Sequence, residues 1–281
     1  MAQRFSRRRF LRLALFGLGT AAAACGGGPA YGLLVEPGWL ALRRVQVTLP
    51  GLPPHLDGFR LALLSDLHRG PLVAQEHIAR AVDLVQRTQA DLVLLAGDYV
   101  TESATFALSC AEELGRLHGA AGVYGCLGNH DHWTDPEMVA GALAGVGIRV
   151  LRNEGLEVAQ GLWLAAVDDV WEEQADLDAA LTGAPPVATI VLLAHEPDFA
   201  DVVAADGRVA LQLSGHSHGG QVCLPLLGPP VLPYLARSYP AGLYRLDQMQ
   251  LYVTRGVGLI APPVRFNCRP EVTLLTLRCE T

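Results

Sequence analysis

Short apolar runs alternate with amphipathic stretches along most of the chain. Residues 60–64 (RLALL) and 91–96 (DLVLLA) are almost uninterrupted runs, which is typical of parallel strands covered on both faces. Between them, apolar side chains recur every three or four positions in residues 75–88, which is the period of an amphipathic helix. The pattern therefore predicts that the folded part of the chain contains β-α-β units.

The same pattern predicts further elements toward the C-terminus. Strands are expected at 122–127, 163–167, 189–194, 210–213, 242–246, 251–254 and 272–278, and another helix at 104–117. The turn near Asp247 is short, so the strands on either side of it should pair antiparallel. With no repeat or linker in the body, we expect a mixed-sheet α/β fold in one domain, residues 29–281.

Residues 1–28 differ from the body and are predicted to be a twin-arginine signal or anchor segment. Residues 6–11 read SRRRFL, which matches the twin-arginine export pattern. An apolar run follows at 13–24 and is too short to span a bilayer comfortably. Cleavage, lipidation at Cys25 and retention as an anchor all stay open. We therefore expect the twin-arginine translocase as a transient partner, and a periplasmic or other extracytoplasmic location with membrane association.

Charge and composition exclude several classes of protein. The formal net charge is −7, and the five arginines of the N-terminal segment leave a body near −12 without them. Such a body is a poor nucleic-acid binder, because phosphate neutralisation needs clustered cations. The sequence contains no lysine, which excludes P-loop and Schiff-base lysine chemistry. The six cysteines form no CxxC pair. The sequence is compatible with a Cys268–Cys279 disulfide but does not establish it.

Metal-binding residue types follow five of the predicted strands. These segments are Ser65–His68, Gly97–Tyr99, Gly128–Asp131, Ala194–Glu196 and Ser214–His218. The carboxyl ends of strands form the ligand crevice in open α/β sheets, so side chains from distant parts of the chain can meet there. Two divalent ions about 3.5–4 Å apart need several ligands and a bridging carboxylate. Imidazole and carboxylate ligands suit manganese, iron or zinc better than calcium.

These blocks resemble those of the calcineurin-like metallophosphoesterases, in family order, across residues 60–220. The resemblance implies two mixed β-sheets packed face to face with flanking helices, a four-layer sandwich. It implies hydrolysis of a phosphate ester by attack of a metal-bridging hydroxide. The first metal would be held by Asp66, His68, Asp98 and His218, and the second by Asp98, Asn129, His195 and His216. His130 would contact the phosphate and protonate the leaving oxygen, and Asp131 would orient His130.

A narrower resemblance extends over the rest of the body. Arg255–Gly258, with residues 263–265 and 270–271, is similar to a membrane-associated bacterial phosphodiesterase branch, some members of which hydrolyse UDP-2,3-diacylglucosamine or other lipid-linked phosphates. A proline-rich apolar loop at 223–240 agrees with such a substrate. Arg69, next to His68, could add a phosphate contact or cover the surface. The expected substrate is therefore a phosphorylated small molecule or a lipid-linked phosphate ester.

Two other functions agree with parts of the sequence. Residues 215–219 (GHSHG) match the nucleophile elbow of serine hydrolases. That fold needs a histidine later in the chain, and none follows His218, so a serine hydrolase is excluded. An exported, metal-stabilised binding protein without turnover is the alternative that remains.

Overall fold

A computed structural model of the protein describes residues 27–280. The strands are β1 (Ala41–Leu49), β2 (Arg60–Leu64), β3 (Leu92–Ala96), β4 (Val123–Cys126), β5 (Arg149–Val150), β6 (Glu154–Ala159), β7 (Leu162–Ala166), β8 (Thr189–Leu193), β9 (Leu211–Ser214), β10 (Gly242–Leu246), β11 (Met249–Val253) and β12 (Glu271–Cys279). The helices are α1 (27–34), α2 (Gln75–Gln86), α3 (Ala107–Leu114), α4 (Asn129–Thr134), α5 (Pro136–Ala144), α6 (Leu177–Ala180) and α7 (Ala200–Asp206).

The strands form two mixed sheets of six. The first has the order β1-β12-β2-β3-β4-β5, in which only the β12–β2 pair is antiparallel. The second has the order β10-β11-β9-β8-β7-β6, with antiparallel pairs at both edges and parallel pairs between β11, β9, β8 and β7. The predicted parallel centre and the antiparallel pairing across Asp247 are both confirmed.

Side-chain alternation along the central strands builds the layers. In β2, Leu61 and Leu63 belong to the core between the sheets, whereas Ala62 and Leu64 pack under the helices. The second sheet behaves alike: Val191 of β8 faces the first sheet and Leu192 faces the outer cluster near α7. Successive strand residues point to opposite faces, so strands that are apolar throughout can serve two cores at once. The predicted four-layer sandwich is confirmed.

The sequence pattern missed β1, β5 and β6 and the helices α1 and α4 to α7. The other predicted elements are present, although 104–117 is a 3-10 turn followed by α3, which ends at Leu114. The cysteines at 110, 126, 223, 268 and 279 are free, so a Cys268–Cys279 disulfide is not formed. Within residues 27–280, no helix combines the length and the apolar character needed to cross a bilayer. The predicted signal segment falls almost entirely outside these residues.

Candidate metal centre

The five predicted segments meet at one rim, where the parallel strands of the two sheets end. Asp66 and His68 follow β2, and Asp98 follows β3. From the facing sheet, His195 follows β8, and His216 and His218 follow β9. Asn129 begins α4, shortly after the end of β4 in the first sheet. Parallel strands present their carboxyl ends on the same side, which explains how residues far apart in sequence become neighbours.

The backbone at this rim is unusual. Asp66, His68, Asp98, His216 and His218 all have left-handed φ angles, between 48° and 66°. Such angles are uncommon for residues other than glycine, and they persist only where the surroundings enforce them. Five of the seven predicted metal ligands thus share a costly conformation.

The ligand atoms converge into three groups, one of which shares a residue with each of the other two. One group contains Asp66, His68 and His218, and another contains Asp98, His195 and His216, with the ligand atoms of each group within 4.8 Å of one another. A third group joins Asp98 to His68 and His130. Asp98 Oδ2 lies 3.1 Å from His195 Nε2 and 3.5 Å from His68 Nε2. Asp98 therefore stands between the two halves of the cluster, where a bridging carboxylate is needed.

Hydrogen bonds fix which nitrogen of two histidines faces the cluster. His195 Nδ1 lies 2.6 Å from the carbonyl oxygen of Ala96, and His216 Nε2 lies 2.7 Å from that of Tyr234. A carbonyl oxygen only accepts, so each of these nitrogens carries the proton. The lone pairs at His195 Nε2 and His216 Nδ1 are then available to a metal. Outer hydrogen bonds of this kind commonly orient metal-binding imidazoles.

Several buried polar atoms at the rim lack a hydrogen-bond partner. They include Asp66 Oδ2, Asn129 Oδ1 and His195 Nε2. An unpaired buried acceptor costs about 1–3 kcal/mol, so a group of them in one place needs an explanation. Carboxylate and amide oxygens together with imidazole nitrogens form a suitable donor set for a divalent transition metal. The residues therefore fit the pair of divalent ions expected from the sequence.

The pKa values of three of the ligands agree with this fit. Burial lowers the pKa of His68 and of His216 to about 3, so both imidazoles are neutral and able to act as ligands. Burial also raises the pKa of the Asp66 carboxyl to about 7. Carboxylates crowded into a dry site hold their protons unless positive charge is nearby. Divalent cations among these side chains would supply that charge.

Asp131 performs a different task from the one predicted. Its Oδ2 accepts from the backbone N–H groups of Asp98 and Gly128, and its Oδ1 from those of Tyr99 and Val100. With four backbone donors its acceptor sites are filled. The His130 ring is held elsewhere, since its Nδ1 lies 3.2 Å from Thr101 Oγ1. The prediction that Asp131 orients His130 was wrong: it fastens the Asp98 loop to the β4–α4 turn, and Thr101 positions the imidazole.

Arg69 is used within its own loop. Its guanidinium donates to Ser109 Oγ and to the carbonyl oxygens of Gly70 and Val73, and it stacks over the Phe106 ring at 4.8 Å. These contacts brace the segment after His68. A direct phosphate contact by Arg69 is therefore not supported by its placement.

The segment between β11 and β12 holds the Asp66 loop in place. Val257 N donates to the Ser65 carbonyl oxygen, and Gly258 N donates to that of Asp66. A Cβ added at Gly258 would lie 2.3 Å from the Leu67 carbonyl oxygen, so only glycine permits this approach. The fully buried Arg265 donates to the carbonyl oxygens of Gly258 and Cys268. Residues 255–265 therefore have a structural role beside the metal-binding residues.

A group of aromatic side chains, Trp133, Trp171 and Tyr234, lies beside the metal cluster. The Trp133 ring is 4.8 Å from that of His130, and Trp171 stands edge-on to Trp133 at 5.2 Å. Trp171 also contacts the rings of His216 and Tyr234. His132 is paired with Asp168 at 2.8 Å. Thr101 and Trp171 follow strand ends, but neither residue type binds metals. The rarity of tryptophan is therefore the only sequence signal for this aromatic group.

A four-layer α/β fold with a buried His/Asp cluster at facing strand ends defines a metal-dependent hydrolase of phosphoesters. Comparison with known proteins agrees. The family model described as calcineurin-like phosphoesterase matches residues 59–220. A phosphodiesterase of Escherichia coli, YaeI, is 34% identical and covers 97% of this chain and 99% of its own. An uncharacterized metallophosphoesterase of Bacillus subtilis, YkuE, is 31% identical over 98% and 99% of the two chains.

A third relative, a zebrafish (Danio rerio) transmembrane protein with a metallophosphoesterase domain, is 34% identical over 83% of this chain and 56% of its own length. The chain belongs to the calcineurin-like phosphoesterase family. It is therefore a phosphoester hydrolase that uses divalent metal ions, with His and Asp clusters suited to a dinuclear site. The alternative of a binding protein without turnover receives no support.

Proposed function

We propose that the protein is an exported phosphodiesterase that acts on a lipid-linked phosphate ester. Asp66, His68, Asp98 and His218 hold the first metal ion in this proposal, and Asp98, Asn129, His195 and His216 hold the second. The observation that carries the metal-dependent reaction is the convergence of the buried histidine and aspartate side chains around Asp98. Two of the full-length relatives support the reaction class, since one is named as a phosphodiesterase and the other as a metallophosphoesterase.

The bound metals would lower the pKa of water and neutralise charge on the phosphate. His130 is the residue proposed to act on the substrate. It is only half-buried, and its ring stands edge-on to that of His68, with centroids 4.7 Å apart. The hydrogen bond to Thr101 occupies Nδ1, so Nε2 is the nitrogen available to a phosphate oxygen. From there His130 can donate a proton to the leaving oxygen, which is general acid catalysis.

The substrate class follows from the loop at 223–240. Leu226 and Val231 are 105% and 75% exposed, and Leu227 is 82% exposed. Exposed apolar side chains in a group mark an interaction site rather than a packed core. A small polar phosphate ester offers them no apolar surface, whereas lipid chains or a membrane surface would cover them. UDP-2,3-diacylglucosamine is an example of a substrate that joins a pyrophosphate linkage to acyl chains.

The assay that tests this function uses the purified protein with manganese. Turnover of bis-p-nitrophenyl phosphate should exceed that of p-nitrophenyl phosphate, and a chelator should abolish both. A lipid-linked phosphodiester should be hydrolysed with a higher kcat/KM than either chromogenic compound. Preference for the monoester would contradict the phosphodiesterase assignment. Equal kcat/KM for lipid-linked and water-soluble diesters would contradict the lipid assignment alone.

The cellular location rests on the N-terminal segment, which lies outside the described residues except for its last two. The arginine pattern at residues 6–11 supports export through the twin-arginine route, which carries folded proteins. An enzyme on the outer side of the cytoplasmic membrane would meet lipid-linked substrates there. The twin-arginine translocase and the membrane surface are thus the proposed partners, and no nucleic acid is involved.

A further inference from the structure

A half-enclosed apolar cavity lies beside the metal cluster. Its volume is about 410 Å³, within the range of roughly 300–1,000 Å³ that is usual for small-molecule sites. One wall comes from the segment after β9, and the other from the segment between β11 and β12. The apolar lining includes Val222, Leu232, Pro233, Ile260, Pro262 and Val264.

Polar groups in the wall are largely used by the protein itself. Gln221 Nε2 donates to the carbonyl oxygens of Ile260 and Pro262, and its Oε1 accepts from the Ile260 N–H. Ser217 Oγ accepts from the Gly219 N–H. Gln221 thus joins the two walls, and both N–H donors of its amide are used by the protein. A ligand rich in hydrogen-bonding groups would lose its water there without replacement, which is costly.

The cavity and the metal cluster share a side chain. His218 lines the cavity, and its Nε2 lies 2.9 Å from His68 Nε2 within the cluster. An occupant of the cavity is therefore separated from the proposed phosphate site by one imidazole ring. Such closeness is expected for two parts of a single substrate rather than for two unrelated ligands.

We propose that this cavity binds a hydrocarbon chain of the substrate while the metal cluster holds the phosphate of the same molecule. This inference rests on the proposed function and adds the place where the hydrocarbon chain of the substrate binds. The mouth agrees with it, because Val231 at the edge of the lining is 75% exposed. A chain entering past Val231 would find apolar contact on both walls. Nucleobases and sugars would meet the same walls with their polar groups unpaired.

The experiment measures the effect of chain length. The manganese-loaded enzyme is given p-nitrophenyl alkyl phosphates with methyl, butyl, octyl and dodecyl groups, and bis-p-nitrophenyl phosphate as the substrate without a chain. Each methylene that the cavity buries contributes up to about fourfold in kcat/KM, since burial of a CH₂ is worth roughly 0.8 kcal/mol and about 1.4 kcal/mol is tenfold. We expect a rise through the shorter chains and a plateau once the cavity is full.

Two variants locate the chain. Leu232→Trp fills the cavity, and Val231→Asp places a carboxylate at its mouth on a residue exposed enough to tolerate it. The matched controls are Leu108→Trp, 65% exposed on α3, and Val187→Asp, 89% exposed before β8; neither lines the cavity. Both cavity variants should flatten the dependence on chain length, measured as the ratio of kcat/KM for the dodecyl ester to that for the methyl ester. Both controls should retain the wild-type dependence.

The outcomes separate the inference from the function on which it rests. Absence of metal-dependent turnover of bis-p-nitrophenyl phosphate by the wild type would overturn the proposed function itself. Turnover without any dependence on chain length would overturn the cavity proposal and leave the phosphodiesterase standing. An unchanged dependence in Val231→Asp would likewise overturn it, even if Leu232→Trp fails to fold.

Discussion

At the residue scale, the metal centre depends on the position of the Asp98 carboxylate, whose Oδ2 lies 3.1 Å from His195 Nε2 and 3.5 Å from His68 Nε2. Histidine and aspartate after successive strands are recognisable in the sequence, because few residue types ligate transition metals. The left-handed backbone at Asp66 and His68 left no signal in the sequence, since neither residue type requires it. The role of Thr101 was equally hidden, because its hydroxyl matters only through its place 3.2 Å from His130. A residue that acts only by contacting a catalytic side chain cannot be identified from the residue types that follow predicted strands.

The shared carboxylate gives the first prediction. Asp98→Asn keeps the shape of the side chain but removes a negative charge that the two proposed metals share. We expect loss of at least one metal ion, and a fall in turnover greater than the roughly 10–100-fold typical of an outer ligand partner. Metal analysis of the purified variant together with a diester assay checks this. Two metals per chain with a normal rate would contradict the bridging role.

The second prediction separates catalysis from metal binding. His130→Ala should lower turnover by about 10²–10⁴-fold, the usual contribution of general acid catalysis, and leave the metal content unchanged. Thr101→Val removes the hydroxyl and should give a smaller loss in kcat, because the ring stays but loses its positioning partner. His195→Ala serves as the comparison and should lose metal. If His130→Ala loses metal and His195→Ala does not, the two roles are reversed.

At the scale of elements, the buried strands were found and the marginal ones were not. β2, β3 and β8 are apolar on both faces along most of their length, which gives an unambiguous pattern. β1 is exposed along half its length and pairs with β12 from the far end of the chain. β5 has only two residues. Strands that depend on distant partners rather than on their own pattern are not recognisable from the sequence.

The close approach of the β11–β12 segment to the Asp66 loop gives the third prediction. Gly258→Ala would place a Cβ 2.3 Å from the Leu67 carbonyl oxygen and 2.7 Å from that of Asp66. Overpacking of this kind costs about 1–3 kcal/mol in the free energy of unfolding, and here it should also weaken binding of the first metal. Gly141→Ala in α5 is the control, because its Cβ would meet open space and alanine favours a helix by roughly 0.5–1 kcal/mol. Thermal unfolding and metal titration of both variants decide the matter. Equal metal affinity in the two would show that the segment does not hold the Asp66 loop.

The exposed tip of the 223–240 loop gives the fourth prediction. Replacing Leu226 and Leu227 together with Ser removes two side chains that would each contribute about 1.5–3 kcal/mol if fully buried in lipid. Binding to phospholipid vesicles and turnover of a lipid-linked phosphodiester should both fall at least about tenfold, while bis-p-nitrophenyl phosphate is hydrolysed normally. Leu108→Ser, on an exposed face of α3, should change neither. Equal losses on both substrates would indicate damaged folding, and no loss on either would remove the lipid role of the loop.

At the scale of the whole molecule, the face-to-face sheets turn five separate strand ends into one site. Each sheet supplies part of the cluster, with Asp66, His68 and Asp98 from one and His195, His216 and His218 from the other. The metal centre therefore forms only when both sheets are packed. Because the ligands come together only in the folded protein, metal binding should follow folding. This order is compatible with export in the folded state.

The last prediction concerns that export route. Arg7→Lys with Arg8→Lys keeps both positive charges but removes the guanidinium pair, which lysine does not imitate. We expect the double variant to remain in the cytoplasm, folded and already loaded with metal, because the twin-arginine route transports folded cargo. Cell fractionation followed by metal analysis and a diester assay measures location and state together. Arg43→Lys with Arg44→Lys, an adjacent pair on exposed positions of β1, is the matched control and should be exported normally. Unimpaired export of the Arg7 and Arg8 variant would reject the twin-arginine route in favour of a general secretory signal, in which charge alone matters and the chain crosses the membrane before the two sheets meet.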